Sequence, residues 1–202
     1  RNNALASRHR SQAALIRVDL PVIGAYDFAW VFDYLCARAL RGIEEVRGRC
    51  YRRRVSEAGK PPVWLRVSQH DTGLQVVLPL TCGPACALLS RVVRLFDVRV
   101  DGDLIDRTLL GASHRYLKQS VAQAPGLRVP GAWDGFETAV RAVLGQQVSV
   151  ARGTELANRM VQAYGDGDFP APAQLRHQDV AQLGMPGKRG RAIPTLATWV
   201  DL

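Results

Sequence analysis

Apolar and polar residues alternate with a period of two in several short runs over the first half of the chain. Over most of the second half they recur with the period of a helix. IRVDLP (16–21) alternates as a half-buried strand does and is stopped by Pro21. Asp27 is placed to cap a helix whose apolar positions Trp30, Val31, Tyr34, Leu35 and Ala39 fall at helical spacing, with Gly42 ending it. IEEVRGRCYRRRV (43–55) reads as one further strand. VWLRVSQ (63–69) and LQVVLPL (74–80) follow, joined by His70-Asp71-Thr72-Gly73, whose turn chemistry predicts an antiparallel hairpin. Leu88, Leu89, Val92, Val93 and Phe96 predict a helix over 86–98 on that sheet, and a shorter helix from Asp103 to about Leu110.

The pattern then changes. APGLRVPG (124–131) holds two Pro-Gly pairs and no helical period, which predicts a boundary. Beyond it every predicted element is helical: 133–144, 149–164, a short one over 172–183 and one from about 187. The predicted organisation is a basic arm or tail of an upstream module (1–14), an α+β domain (15–123), a linker (124–132) and an incomplete helical domain (133–202). The fold class is α+β, a small antiparallel sheet with packed helices followed by an all-helical portion that stops early. Arg1 opens the chain and TLATWVDL closes it helically without a cap, so a piece of a longer protein is expected.

Composition fits a folded globular protein, with 47% hydrophobic and 22% charged residues. No apolar run approaches the roughly 18 residues of a membrane span, and the start does not resemble a signal peptide, so the expected location is cytoplasmic. The net charge of +9 comes from 27 bases against 18 acids, and all but three of the bases are Arg. Arg recognises phosphate with a planar fork, which leans toward nucleic acid. Compositional bias gives the same excess, and Arg52-Arg53-Arg54 also reads as a solvated strand end. Cys36, Cys50, Cys82 and Cys86 lack zinc-ribbon spacing and the four histidines are scattered, so no metal and no cofactor is expected.

One stretch carries chemistry. Phe136, Val140, Val143 and Leu144 form the buried stripe of a helix that Gly145 is placed to end as a left-handed cap. Ser149 can cap the helix that restarts. Gln146 and Gln147 then occupy the tip, beside free N–H groups and a positive dipole end that favour phosphate. On local chemistry alone, one Gln satisfying loop carbonyls and the other merely exposed is the favoured reading.

YDFAWVFDYLCARALRGIEEV (26–46), SRVVRLFDV (90–98), the run from Pro125 through LGQQVSV to Gly165 and LGMPGKR (183–189) closely resemble the AlkA-type 3-methyladenine DNA glycosylase II family of the helix-hairpin-helix superfamily. The resemblance covers about residues 15–200. It implies the TBP-like AlkA N-terminal fold, and excision of alkylated bases such as 3-methyladenine from double-stranded DNA by a monofunctional, monomeric N-glycosylase. Alkylation makes the base cationic and a good leaving group, so a carboxylate stabilising the oxocarbenium-like sugar suffices. A wedge fills the hole left in the stack. The resemblance puts that wedge at Gln147, where the best-known member of the family has leucine, with Gln146 supporting the turn and Gly145 and Ser149 framing it. The family's catalytic aspartate and its hairpin (L-P-G-[IV]-G) match nothing in this chain. LGMPGKRG (183–190) resembles the hairpin only superficially, with two residues between its glycines where the hairpin has one, and reads as an ordinary helix start. Asp201 is no substitute, so no catalytic residue is assigned and the chain alone is expected to be inactive. RNNALASRHRSQAAL is similar to the closing helix of an AraC-type helix-turn-helix, as in fusions that also carry an Ada-like module. A non-enzymatic DNA-binding or regulatory module of an alkylation response is the alternative reading.

Overall fold

The computed structural model describes residues 14–57, 59–81 and 84–201. The expected basic arm (1–14) lies outside these apart from Ala14, as does Cys82. Five strands, β1 (Leu15–Pro21), β2 (Glu44–Arg47), β3 (Cys50–Val55), β4 (Val63–His70) and β5 (Gly73–Pro79), form one antiparallel sheet in the order β1-β5-β4-β3-β2. The helices are α1 (Phe28–Cys36), α2 (Ala85–Leu95), α3 (Gly102–Gly111), α4 (Arg115–Gln123), α5 (Gly135–Gly145), α6 (Val150–Tyr164), α7 (Pro172–Leu175) and α8 (Gly187–Val200), with a 3₁₀ turn at Val180–Leu183. The α+β class expected from the sequence is the class observed.

Three readings need correcting. Residues 43–55 are not one strand but a hairpin, β2 and β3, closed by Arg47 opposite Cys50 with Gly48 at φ 54°. A two-residue turn inverts the side-chain parity, so Val46 and Tyr51, an odd number of residues apart, share the core face. Trp30 is not a core position: it is 42% exposed, and Phe32 is the fully buried aromatic of α1. Helix α4 has only Val121 buried, too narrow an apolar stripe to declare itself in the sequence. The caps at Asp27, which accepts from the Trp30 N–H at 2.9 Å, and at the β4–β5 turn follow the sequence reading.

Two apolar cores result. The first joins the inner face of the sheet (Tyr51, Leu65, Val67, Val76) to α1 and α2, with Phe32, Tyr51 and Phe96 in edge-to-face contact, and takes in Trp133. The second joins α5, α6, α7 and α8 through Val140, Leu144, Leu156, Met160 and Ile193. Leu40 and Ile43, from the segment after α1, belong to the second core. The Pro-Gly stretch at 124–132 is firmly tied down. The Arg128 guanidinium is fully buried and donates to the carbonyls of Val100 (2.7 Å), Ala25 (2.8 Å) and Ile23 (3.0 Å). Asp106 accepts from the Gly126 N–H at 2.8 Å.

Candidate nucleic-acid interface

Helices α5 and α6 pack across each other and their connection, 145–149, forms an exposed tip. Asp134 starts α5 by accepting from the Glu137 N–H at 3.0 Å, and Ser149 starts α6 by accepting from the Arg152 N–H at 3.2 Å, the cap read from the sequence. The helices approach closely because Gly153 has no side chain: a Cβ there would sit 3.2 Å from the Cα of Gly145.

Gly145 is not the left-handed cap. It is the last residue of α5, and the left-handed residue is Gln147 at φ 56°. The reversal takes place two residues later because Gln146 stays extended and closes α5 with its N–H on the Val143 carbonyl at 3.3 Å. A left-handed non-glycine residue costs roughly 1 to 2 kcal/mol. Gly145, Gln146 and Gln147 are all exposed, and neither glutamine side chain hydrogen-bonds to another described residue. The expected turn support from Gln146 therefore comes through its backbone.

The base of the tip is held by charge. Arg53 on β3 donates to Glu44 on β2 at 2.9 Å and to Glu137 on α5 at 2.5 Å, with all three side chains no more than 6% exposed. Arg141, one turn along α5, reaches Glu137 at 2.9 Å and Glu44 at 3.4 Å and donates to the Arg38 carbonyl. The Tyr51 hydroxyl donates to Glu44 at 2.7 Å. Burial opposes the charge of Arg53, but Tyr51, Glu137 and Glu44 outweigh it and hold the guanidinium pKa above its ordinary value. Burial first, and then Glu44, raise the Tyr51 phenol well above the usual range. These four Arg–Glu pairs had no signal in the sequence beyond charged residues at strand and helix positions where apolar ones are usual. Helix α6 is held by Asn158, which accepts from the Arg41 N–H at 2.8 Å, and by the Arg41–Glu155 pair.

A cleft of about 330 Å³ opens beside the tip, lined among others by Arg38, Trp133, Glu137, Arg141 and Ser149. Its carboxylates, Glu44 and Glu137, are each neutralised by two arginines, so neither is free to face a developing cation. Asp201 pairs with Arg176 at 2.7 Å and ties α7 to α8. LGMPGKRG is the 3₁₀ turn, a left-handed Gly184 and the start of α8, the ordinary helix start expected. Gly190 lies against Ala181, where a Cβ would come within 2.6 Å. No group of three or more potential metal ligands occurs among the described residues, and no described helix is long and apolar enough to cross a membrane.

The arrangement of a five-stranded antiparallel sheet followed by packed helices has structural counterparts. A 3-methyladenine DNA glycosylase from Archaeoglobus fulgidus superposes with TM-score 0.71 at 16% identity, over 90% of this chain and 66% of that one. MBOgg1 in complex with a low-affinity DNA ligand superposes with TM-score 0.65 at 17% identity, over 92% of this chain and 63% of that one. The fold is thus the one these two structures share. The AlkA N-terminal domain family matches residues 17–134, and the chain belongs to it. It is 34% identical to DNA-3-methyladenine glycosylase 2 of Escherichia coli K12, over 85% of this chain and 63% of that protein. It is also 34% identical to the "Probable bifunctional transcriptional activator/DNA repair enzyme AlkA" of Mycobacterium tuberculosis, over 92% of this chain and 39% of that protein. The chain therefore spans 63% of the length of the first of these relatives and 39% of the second.

Proposed function

We propose that this chain is the front part of an enzyme that excises alkylated bases, 3-methyladenine among them, from double-stranded DNA by hydrolysing the N-glycosidic bond. The single observation that carries the reading is Gln147: an exposed amide held left-handed at the tip between two helices, α5 locked by buried ion pairs and α6 started by the Ser149 cap. Strain of this kind persists where the surroundings over-determine it, and such sites are commonly functional. In a DNA groove the amide occupies the gap left by the flipped base and hydrogen-bonds the widowed partner. Gln146 and Gly145 shape the approach. The α6 N-terminus capped by Ser149 presents its remaining N–H groups to a phosphate.

The chain carries the wedge and its frame, while the reaction needs in addition a carboxylate near the sugar and a clamp on the phosphates. We assign no residue here to either role, and the 202 residues alone are proposed to be catalytically silent. The whole enzyme works as a cytoplasmic monomer without cofactor or metal, its α+β domain at 15–123 and helical domain from 133 joined by 124–132. The bifunctional relative supports residues 1–14 as the tail of an upstream regulatory module, a further part of the same reading. A duplex carrying 2-aminopurine beside an alkylated base tests the wedge in the full-length enzyme. Wild type raises the fluorescence on binding, and Gln147→Ala binds with a much smaller rise. An equal rise in both removes Gln147 from the role.

A further inference from the structure

The tip lies on the helix-bearing side of the sheet, to which Tyr51 and Arg53 point. The opposite face is a different surface. The registers align one row across all five strands: Arg17 on β1, Val77 on β5, Arg66 on β4, Arg52 on β3 and Glu45 on β2. Arg54, across from Trp64, and Arg47 point to the same side. Arg52-Arg53-Arg54 is therefore divided by the pleat: Arg53 is buried in the ion-pair network, Arg52 faces outward, and Arg54, on the side of Arg52, is drawn to Asp168 at 3.8 Å and takes no part in the open row.

Arg17 and Arg66 are exposed, and the Arg52 side chain is 42% exposed. Neither Arg17 nor Arg66 meets a carboxylate among the described residues, so their charge is uncompensated within the row. The acids of this face are already engaged. Glu45 pairs with Arg52 at 3.1 Å, and Asp19 accepts from Gln75 at 3.1 Å. Val77 is only 8% exposed although it stands on the open face, as expected where it lies between the aliphatic stems of Arg17 and Arg66. With strands about 4.8 Å apart, the row spreads its guanidinium groups over roughly 14 Å, comparable with a DNA major groove about 12 Å wide.

We propose that this open sheet face is a second DNA-binding surface, separate from the glutamine tip, that takes the phosphates of duplex DNA without regard to sequence. Charge complementarity commits it to a phosphate polymer. Duplex is favoured over single strands because Trp64, the one Trp, Tyr or Phe of the face among the described residues, has its ring covered by the Arg52 guanidinium at 4.8 Å and offers no stacking platform. Because the face and the tip point to opposite sides of the sheet, the phosphates bound here belong to another stretch of backbone than the one holding the lesion. The chain then has a means of staying on undamaged DNA while the tip samples it.

The test is the salt dependence of binding to an undamaged 20-base-pair duplex by the 202-residue chain. It compares wild type with Arg17→Gln/Arg66→Gln, whose two sites are exposed. Each lost phosphate contact lowers the slope of log K against log salt by about 0.9, so the double variant loses about 1.8. Between 50 and 200 mM salt its affinity then falls about 12-fold less than that of wild type. Arg17→Lys/Arg66→Lys, which keeps the charges, retains the wild-type slope, and matching thermal midpoints keep folding out of the comparison. An unchanged slope in the Gln variant overturns the proposal. So does binding to vesicles of anionic lipid that responds to the variant while duplex binding does not.

Discussion

Replacing Glu137 by Gln keeps the shape of the side chain and removes one of the two negative charges in the Arg53–Glu44–Glu137–Arg141 network. Glu137 holds Arg53 at 2.5 Å and Arg141 at 2.9 Å, and its side chain is 5% exposed, so water cannot replace the lost charge. Taking one partner from a buried ion pair typically costs about 3 to 5 kcal/mol. Arg53 keeps Glu44 at 2.9 Å, which argues for the lower end, about 3 kcal/mol. For a chain of this size that corresponds to a thermal midpoint lower by about 6 to 12 °C. The exposed pair Arg176–Asp201 supplies the contrast: its side chains are 44% and 32% exposed, and Asp201→Asn costs no more than about 1 kcal/mol. Half-molar salt erases the second effect and leaves the first. Arg53→Met/Glu137→Leu removes both charges and leaves Glu44 with Arg141, so it recovers most of the loss. Urea and thermal denaturation of the four proteins decide the matter. A Glu137→Gln variant within about 0.5 kcal/mol of wild type refutes the idea that buried charge holds the base of the tip.

Gln147→Gly relieves the left-handed strain and raises stability by about 0.5 to 1 kcal/mol, whereas in the complete enzyme it slows lesion excision; a stabler variant with undiminished excision contradicts the wedge. Gly190→Ala drives a Cβ to within 2.6 Å of the Ala181 backbone and lowers the thermal midpoint clearly, while Gly153→Ala, meeting Gly145 at 3.2 Å, lowers it less; the reverse order rejects the packing account. Tyr51 and Tyr26 have phenol pKa values raised chiefly by burial. Their contribution to stability is fully present below the ordinary value near 10 and is lost as pH rises toward the folded values, at up to about 1.4 kcal/mol per pH unit each. Denaturation midpoints that stay flat from pH 9.5 to 11.5 would falsify this. A thiol count on natively purified, denatured protein finds all four cysteines free, and a missing pair or bound zinc rejects that reading.

The elements that bury a whole apolar stripe or hairpin were legible in the sequence. Asp27, Ser149 and the Asp71-Thr72 turn stand where their chemistry placed them. The β2–β3 reversal was hidden because a two-residue turn centred on Gly48 leaves a continuous strand-like composition on both sides. Helix α4 was hidden because almost nothing of it is buried. Around the tip, helix packing was readable from Val140 and Leu144, but the left-handed residue was assigned to Gly145 on propensity, and tertiary packing gave it to Gln147. The buried pairs of Arg53 and Arg141 join residues distant in the chain, and no local pattern announces which charges will meet.

Release of 3-methyladenine from methylated duplex DNA tests the central claim most directly, measured for this 202-residue chain, for a chain completed to the length of its relatives, and for that longer chain with Gln147→Ala. The account predicts release by the longer chain, slower release by its Gln147→Ala variant, and none by the 202 residues alone. Release by the 202 residues at the rate of the longer chain, or no release by either, would contradict it.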